Sequence, residues 1–288
     1  MRSLPEEADY VIVGAGSAGC ALAARLSENP GTRVVLLEAG GPARNPWLHV
    51  PIGYAKTMYH PTLSWNLSTE PEPELHGRRV TWPRGRVLGG SSAINGLLYV
   101  RGQHADFDHW RQLGCTGWSA EEVLPYFRRA EDQSRGADAW HGAGGPLAVS
   151  DLGLRSPLAE AFIAAGQEVG LPRNDDFNGA EQEGVGPFQV TARGGWRCSA
   201  ASAYLGPARR RPNLTVVTGA AAEKVVLEGR EARGIAFRLG GALRTVRALR
   251  EVVLCGGAIA SPRLLMLSGI GPAAALQEAG IEAVHDLP

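Results

Sequence analysis

The chain has 288 residues, enough for about two domains and for a core that needs no disulfide or metal support. Basic and acidic residues balance at 29 each, with no basic stripe, which argues against nucleic-acid binding through a general field. An apolar content of 44% sustains a core, so the 38 Gly and 19 Pro belong in turns and ligand loops.

Tyr10–Val13 is a short apolar run, read as a buried strand, and GAGSAG follows it. Leu22 and Leu26 then stand four apart, as on a helix, until Pro30-Gly31 breaks the pattern. Val34–Leu37 is a second buried strand, so the order strand–helix–strand predicts a right-handed βαβ unit with parallel strands. From Pro42 to Gly85 prolines punctuate a long surface excursion, a length that points to a functional loop. Ser119-Ala-Glu-Glu122 is a capping box, and Ser156-Pro157 opens another helix carrying Leu158, Phe162, Ala165 and Val169. Beyond it, Leu214–Val217, Lys224–Leu227, Ala232–Arg238, Leu243–Ala248 and Val252–Leu254 read as strands, with turns at Gly229 and Gly240-Gly241. Ser261-Pro262 reads as the start of a last helix closed by Gly269.

Gly14-Ala-Gly16-Ser-Ala-Gly19 fits a dinucleotide fingerprint. Gly14 permits the tight turn, Gly16 the approach of a pyrophosphate, and Gly19 close helix–strand packing. The helix N-terminus offers N–H groups and its positive end to phosphates, and Glu38 closes the second strand as an acceptor for ribose hydroxyls. This pattern does not separate FAD from NAD, since both present an ADP half. A second cluster, Pro83 to Gly96, joins two Arg, the pair Gly89-Gly90, Ser91 and Asn95. Gly89 and Gly90 allow close backbone approach to a ligand, and Ser91 and Asn95 add neutral donors; a plain Gly-rich turn is the competing reading.

Cys20, Cys115, Cys198 and Cys255 are too scattered for a metal site or redox pair, and behave as small buried hydrophobes. No metal is expected. The first ten residues lack an apolar leader core, and no run of apolar residues is long enough to span a membrane. The cytoplasm is the expected compartment, with peripheral membrane attachment left open. Trp65, Trp82, Trp110, Trp118 and Trp196 read as buried packing in preference to the lining of a substrate route.

The stretch Gly85 to Asp108, GRVLGGSSAINGLLYVRGQHADFD, resembles the first signature of the glucose–methanol–choline (GMC) oxidoreductase family. Gly257 to Gly271, GAIASPRLLMLSGIG, resembles the second, and the opening DYVIVGAGSAGCALAARL is similar to that family's N-terminal FAD segment. Asp176-Phe-Asn-Gly179, Glu183-Gly-Val-Gly186 and Arg197-Cys-Ser-Ala-Ala201 look like the bacterial choline and aliphatic-alcohol dehydrogenase branch. The resemblance implies an α/β fold: a Rossmann-like βαβ FAD-binding domain with an antiparallel β excursion, plus a partial α+β substrate domain. Its segments would be 7–150 and 213–288 for the cofactor and 151–212 for the start of the substrate domain.

The cofactor implied is FAD. Gly14, Gly16, Ser17, Ala18 and Gly19 would hold the pyrophosphate and Glu38 the adenosine ribose. Ser91, Asn95 and Gly96 match positions beside the FAD, and Ala222 the position whose backbone meets adenine. Some family members attach FAD through a His where this chain has Ile94, so noncovalent FAD is expected. The implied reaction is hydride transfer from an alcohol CH–OH to the flavin, with a His taking the proton. The partner is a small-molecule alcohol; the electron acceptor stays unassigned. The catalytic His and its partner are expected in a missing C-terminal half, because none of His49, His60, His76, His104, His109, His141 and His285 stands in that context or forms a paired constellation. A non-catalytic FAD-binding fragment is the alternative, followed by an NAD-binding dehydrogenase and a lyase on the same fold.

Overall fold

The computed structural model describes residues 4–288, which divide into two compact units. The first comprises residues up to 48, 53–94 and 199–288; the second comprises 49–52 and 95–198. These units are divided by compactness, and their borders differ from the bounds at 150 and 212 expected for cofactor and substrate segments.

The first unit is built on strand β1 (Glu7–Val13), helix α1 (Ser17–Leu26) and strand β2 (Val34–Glu38). The chain returns as β3 (Leu214–Thr218), β4 (Ala220–Glu228), β5 (Glu231–Leu239) and β6 (Ala242–Leu254), followed by helix α2 (Gly257–Leu267). The six strands form one sheet in the order β4-β5-β6-β1-β2-β3. β6, β1, β2 and β3 run parallel, while β4 and β5 form an antiparallel flap on the edge.

Both faces of the parallel part are covered, which is why β2 reads as an unbroken apolar run rather than an alternation. Val11, Val13, Val35 and Leu37 point to one face with Ile235, Phe237, Val246 and Leu264. Ile12, Val34 and Leu36 point to the other, against Cys20, Ala23, Leu205 and Ala208. Each buried Val, Leu, Ile or Phe among them contributes about 1.5–3 kcal/mol.

Two sequence expectations need correction here. Leu243–Ala248 and Val252–Leu254 are one continuous strand, β6, which pairs antiparallel with β5 as far as Arg247 and parallel with β1 from Arg247 to Leu254. The interval Leu249-Arg250-Glu251 interrupts the apolar pattern just past the change of partner, at the irregularity in the pairing with β1 between Ala8 and Tyr10, and the strand runs on through it. Helix α2 starts at Gly257, so Pro262 lies inside it rather than at its first position.

The second unit carries helices His104–Gln112, Ala120–Ala130 and Pro157–Glu168 and two short two-stranded ribbons. The Ser119 capping box forms as expected, with Glu122 N–H donating to Ser119 Oγ and Ser119 N–H to Glu122 Oε2. Ser156 likewise caps its helix through Leu158 N–H. The helical spacing of Leu158 and Phe162 is real, yet both are exposed, and Ile163 supplies the buried contact.

The tryptophans also depart from expectation. Trp65, Trp82, Trp110, Trp118 and Trp196 are all exposed, between 42% and 60%. Four of the rings meet cations or other ring edges: Arg86 stands over Trp65 at 4.6 Å, Arg84 over Trp82 at 5.2 Å, and Trp110 is edge-on to Trp118 at 5.8 Å. Cys20 is buried as expected, but Cys115 is exposed. Among the described residues, no helix is long and apolar enough to cross a membrane.

Candidate functional site

β1 ends at Val13, and Gly14 turns the chain at φ +96, a left-handed conformation in which a side chain would be strained. Gly14 N–H donates to Leu37 O at 2.8 Å, tying the turn to β2. A Cβ on Gly14 would stand 2.5 Å from Cys255 O, and one on Gly19 would stand 1.9 Å from Gly14 O. Both glycines are therefore required by the protein's own packing. Gly16 is different: the nearest protein atom to a Cβ there would be Cys255 O at 3.9 Å. Ordinary packing tolerates a methyl group at that position, so its glycine leaves room above the loop.

Gly16 is the N-cap of α1, with extended backbone and no side-chain cap, and no acidic residue occupies the first turn. Ser17 and Ala18 are exposed. The first N–H groups of α1 and its positive end are thus open to an anion.

The second glycine cluster docks directly on the first. Gly89 N–H donates to Ala15 O at 2.8 Å, and a Cβ on Gly90 would lie 2.7 Å from Gly16 Cα. Gly89 and Gly90 have φ +96 and +52, opening a short turn over Gly90–Ala93. Ser91 Oγ accepts from Gly85 N–H at 3.1 Å, closing the loop on itself. Ser92 Oγ accepts from Ala200 N–H at 3.0 Å, so residue 200 of the returning chain is fastened here too.

Glu38 is buried at the end of β2 and ties the first cluster to the loop after β2. Its Oε2 accepts from Ala15 N–H and its Oε1 from Gly40 N–H, each at 2.8 Å. Burial pushes its carboxyl above the usual range, against the pull of the Gly40 and Ala15 amides and of Arg86. One lone pair on each oxygen remains for a hydroxyl donor. Thr218 pairs with Glu38 across β2 and β3, and Gly219 N–H donates to Gly40 O at 2.8 Å. Ala222 follows on β4, half-buried, at a bulge before Lys224.

Gly14, Gly16, Ser17, Ala18, Gly19, Glu38, Gly89, Gly90, Ser91 and Ala222 all lie in the first unit; Asn95 and Gly96, both exposed, open the second. Within the second unit, buried Arg197 reaches Asn95 twice. Its Nη1 donates to Asn95 Oδ1 and its Nη2 to Asn95 O, both at 2.7 Å. Desolvation brings this guanidinium down to about 10, so it remains charged at neutral pH. Arg197 stands out in the sequence only as part of a family-like stretch; its contact 102 residues away has no local signal.

A second polar centre is absent from the sequence reading, which set aside every His. His141 is buried between two carboxylates, Nδ1 to Glu131 Oε1 at 3.0 Å and Nε2 to Asp176 Oδ2 at 2.8 Å. Burial alone would lower its pKa, but the hydrogen bonds its ring donates to Glu131 and Asp176 outweigh that and raise it. The linked stability is fully present below the ordinary value of 6.5 and is lost as pH rises through the raised one. Melting curves across this range should show a decline with rising pH that His141→Gln removes.

A family model described as GMC oxidoreductase matches residues 8–281. Oxygen-dependent choline dehydrogenase of Brucella anthropi is 49% identical over 282 residues, which covers 98% of this chain and 51% of the relative. The Sinorhizobium fredii protein of the same name is 48% identical with the same coverage. Among solved structures, pyridoxine 4-oxidase from Mesorbium loti superposes with a TM-score of 0.94 at 41% identity, covering 98% of this chain and 56% of that one. A formate oxidase variant from Aspergillus oryzae, described for FAD modification, gives 0.90 at 28%, covering 99% and 51%. The chain spans about half the length of the curated relatives it matches.

Proposed function

Because the chain belongs to the GMC oxidoreductase family, we propose that it forms the FAD-holding part of an oxidoreductase acting on the CH–OH group of a small alcohol. The observation that carries this reading is the glycine cradle: two docked glycine loops, an uncapped helix start, and at Gly16 a space that the protein itself does not fill. Bound FAD supplies the hydride acceptor for alcohol oxidation.

This chain's residues bind and orient. The N–H groups of Ser17 and Ala18 face the pyrophosphate at the positive end of α1, Gly16 keeps a side chain out of its path, and Gly90 lets the second loop pack on Gly16. Glu38, with both oxygens already anchored to backbone amides, offers its remaining lone pairs to the adenosine ribose hydroxyls. The backbone of Ala222 serves the adenine, and Ser91, Asn95 and Gly96 stand beside the cofactor. Segments 7–150 and 213–288 serve FAD, and 151–212 begins the substrate domain.

Attachment is noncovalent, because the buried side chain of Ile94 offers no nucleophile. Purified protein should be yellow, and acid or heat denaturation should release all flavin into the supernatant. Flavin retained by the precipitated chain would refute noncovalent attachment. A choline-like substrate is supported by the likeness to choline dehydrogenases at 48–50% identity. Anaerobic bleaching of the flavin in the full-length protein by choline, but not by pyridoxine, would bear this out. Bleaching by pyridoxine alone would overturn it.

A further inference from the structure

We infer that the outward face of helix Pro157–Glu168 is a packing surface for polypeptide equivalent to the half of the choline dehydrogenases that this chain does not span. Leu158, Phe162, Ala165 and Val169 follow one another at i, i+4, i+7 and i+11, which sets them in one stripe along the helix. All four are exposed, Leu158 and Val169 by 80% and Phe162 by 73%. Leu154, just before the helix, is exposed by 87%. The side toward the second unit is already occupied. Ile163 is buried, a Cβ on Gly166 would stand 3.0 Å from Val185, and Glu160 is held by Arg155 and Arg173 at 3.6 Å. The helix is thus apolar on two faces, and the outward one meets solvent. A surface helix needs only one apolar face; two mark a layer packed from both sides.

The size of the stripe and the length of the relatives choose the occupant. At 1.5 Å per residue the helix is about 18 Å long, and four side chains along it fall well short of the roughly 800 Å² per partner that a standard interface buries. The stripe therefore suits a layer belonging to a larger interface, not an isolated contact between two copies. The relatives carry enough further polypeptide to form one. The Brucella anthropi and Sinorhizobium fredii enzymes match 98% of this chain, helix included, and this match takes up only 51% of their own length. Pyridoxine 4-oxidase superposes on 98% of this chain with 56% of its own. The inference rests on family membership and is independent of the FAD reading.

The test co-expresses the tagged 288-residue chain with the untagged C-terminal half of the Brucella anthropi enzyme, and reads co-purification, mass by light scattering and the affinity of the pair. The two should purify together at one to one. Phe162→Asp should weaken the pair at least tenfold. Because Phe162 is exposed in the chain alone, the melting temperature of that chain should not change, which separates lost packing from misfolding. Gln167→Asp, exposed on the same helix outside the stripe, should leave the pair at parental strength. Parental affinity in Phe162→Asp, or no association by the unsubstituted chain, would overturn the inference. A two-copy mass for the chain alone that Phe162→Asp returns to one copy would overturn it too, by making the stripe a dimer face. No arm reads flavin, so failure of the FAD reading leaves each outcome intact.

Discussion

Gly19→Ala should destabilise the protein by about 3 kcal/mol and abolish flavin retention, because its methyl group would be driven to 1.9 Å from the Gly14 carbonyl oxygen. That oxygen belongs to backbone at the end of β1, fixed by Gly14 N–H on Leu37 O and Cys255 N–H on Val13 O. Neither α1 nor the turn can move without opening the sheet. Gly16→Ala is the informative contrast. Its methyl group meets no protein atom closer than 3.9 Å, and its backbone lies in the extended region open to any residue. Its apoprotein should melt within about 0.5 kcal/mol of the parent, while FAD affinity falls at least tenfold. Differential scanning fluorimetry of flavin-stripped protein separates the two. If Gly16→Ala bound FAD normally, the space above Gly16 would not be the pyrophosphate site.

The same contrast explains what was legible in the sequence. β1, α1 and β2 are visible because a strand buried on both faces is an apolar run and because the glycines between them are spaced for one turn. That Gly90 would press on Gly16 is invisible, since neither cluster names the other as its partner. β6 reads as two strands because its neighbour changes midway, a property of the sheet and not of the segment. The tryptophans mislead for a related reason. Large apolar area predicts burial, but Trp65 and Trp82 place that area under arginines at the surface, and nothing local records the pairing. Long-range side-chain contacts are where sequence reading runs out: Arg197 with Asn95, and His141 with Glu131 and Asp176.

The His141 centre carries the second large expectation. Glu131 is fully buried and receives four donors: Arg101 Nη2 at 2.7 Å, His141 Nδ1 at 3.0 Å, Gly142 N–H at 3.1 Å and Gln133 Nε2 at 3.2 Å. Gln133 continues to Gln189 Oε1 at 2.9 Å, and Gln189 Nε2 to Asp151 at 2.9 Å, so one carboxylate organises strands and loops spread from residue 101 to 189. Glu131→Ala should cost about 3–5 kcal/mol, because it strands the buried charge of Arg101 and leaves His141 with Asp176 as its one carboxylate. The bond itself is a small part of that figure; the uncompensated guanidinium is the larger part. Glu131→Gln keeps the shape and one acceptor oxygen, so its loss should be smaller. Adding Arg101→Met to Glu131→Gln should then recover part of it by removing the stranded guanidinium. Denaturant melts of the three variants decide the matter. If Arg101→Met deepened the loss additively, the two residues would be acting through separate contacts rather than as a charge pair.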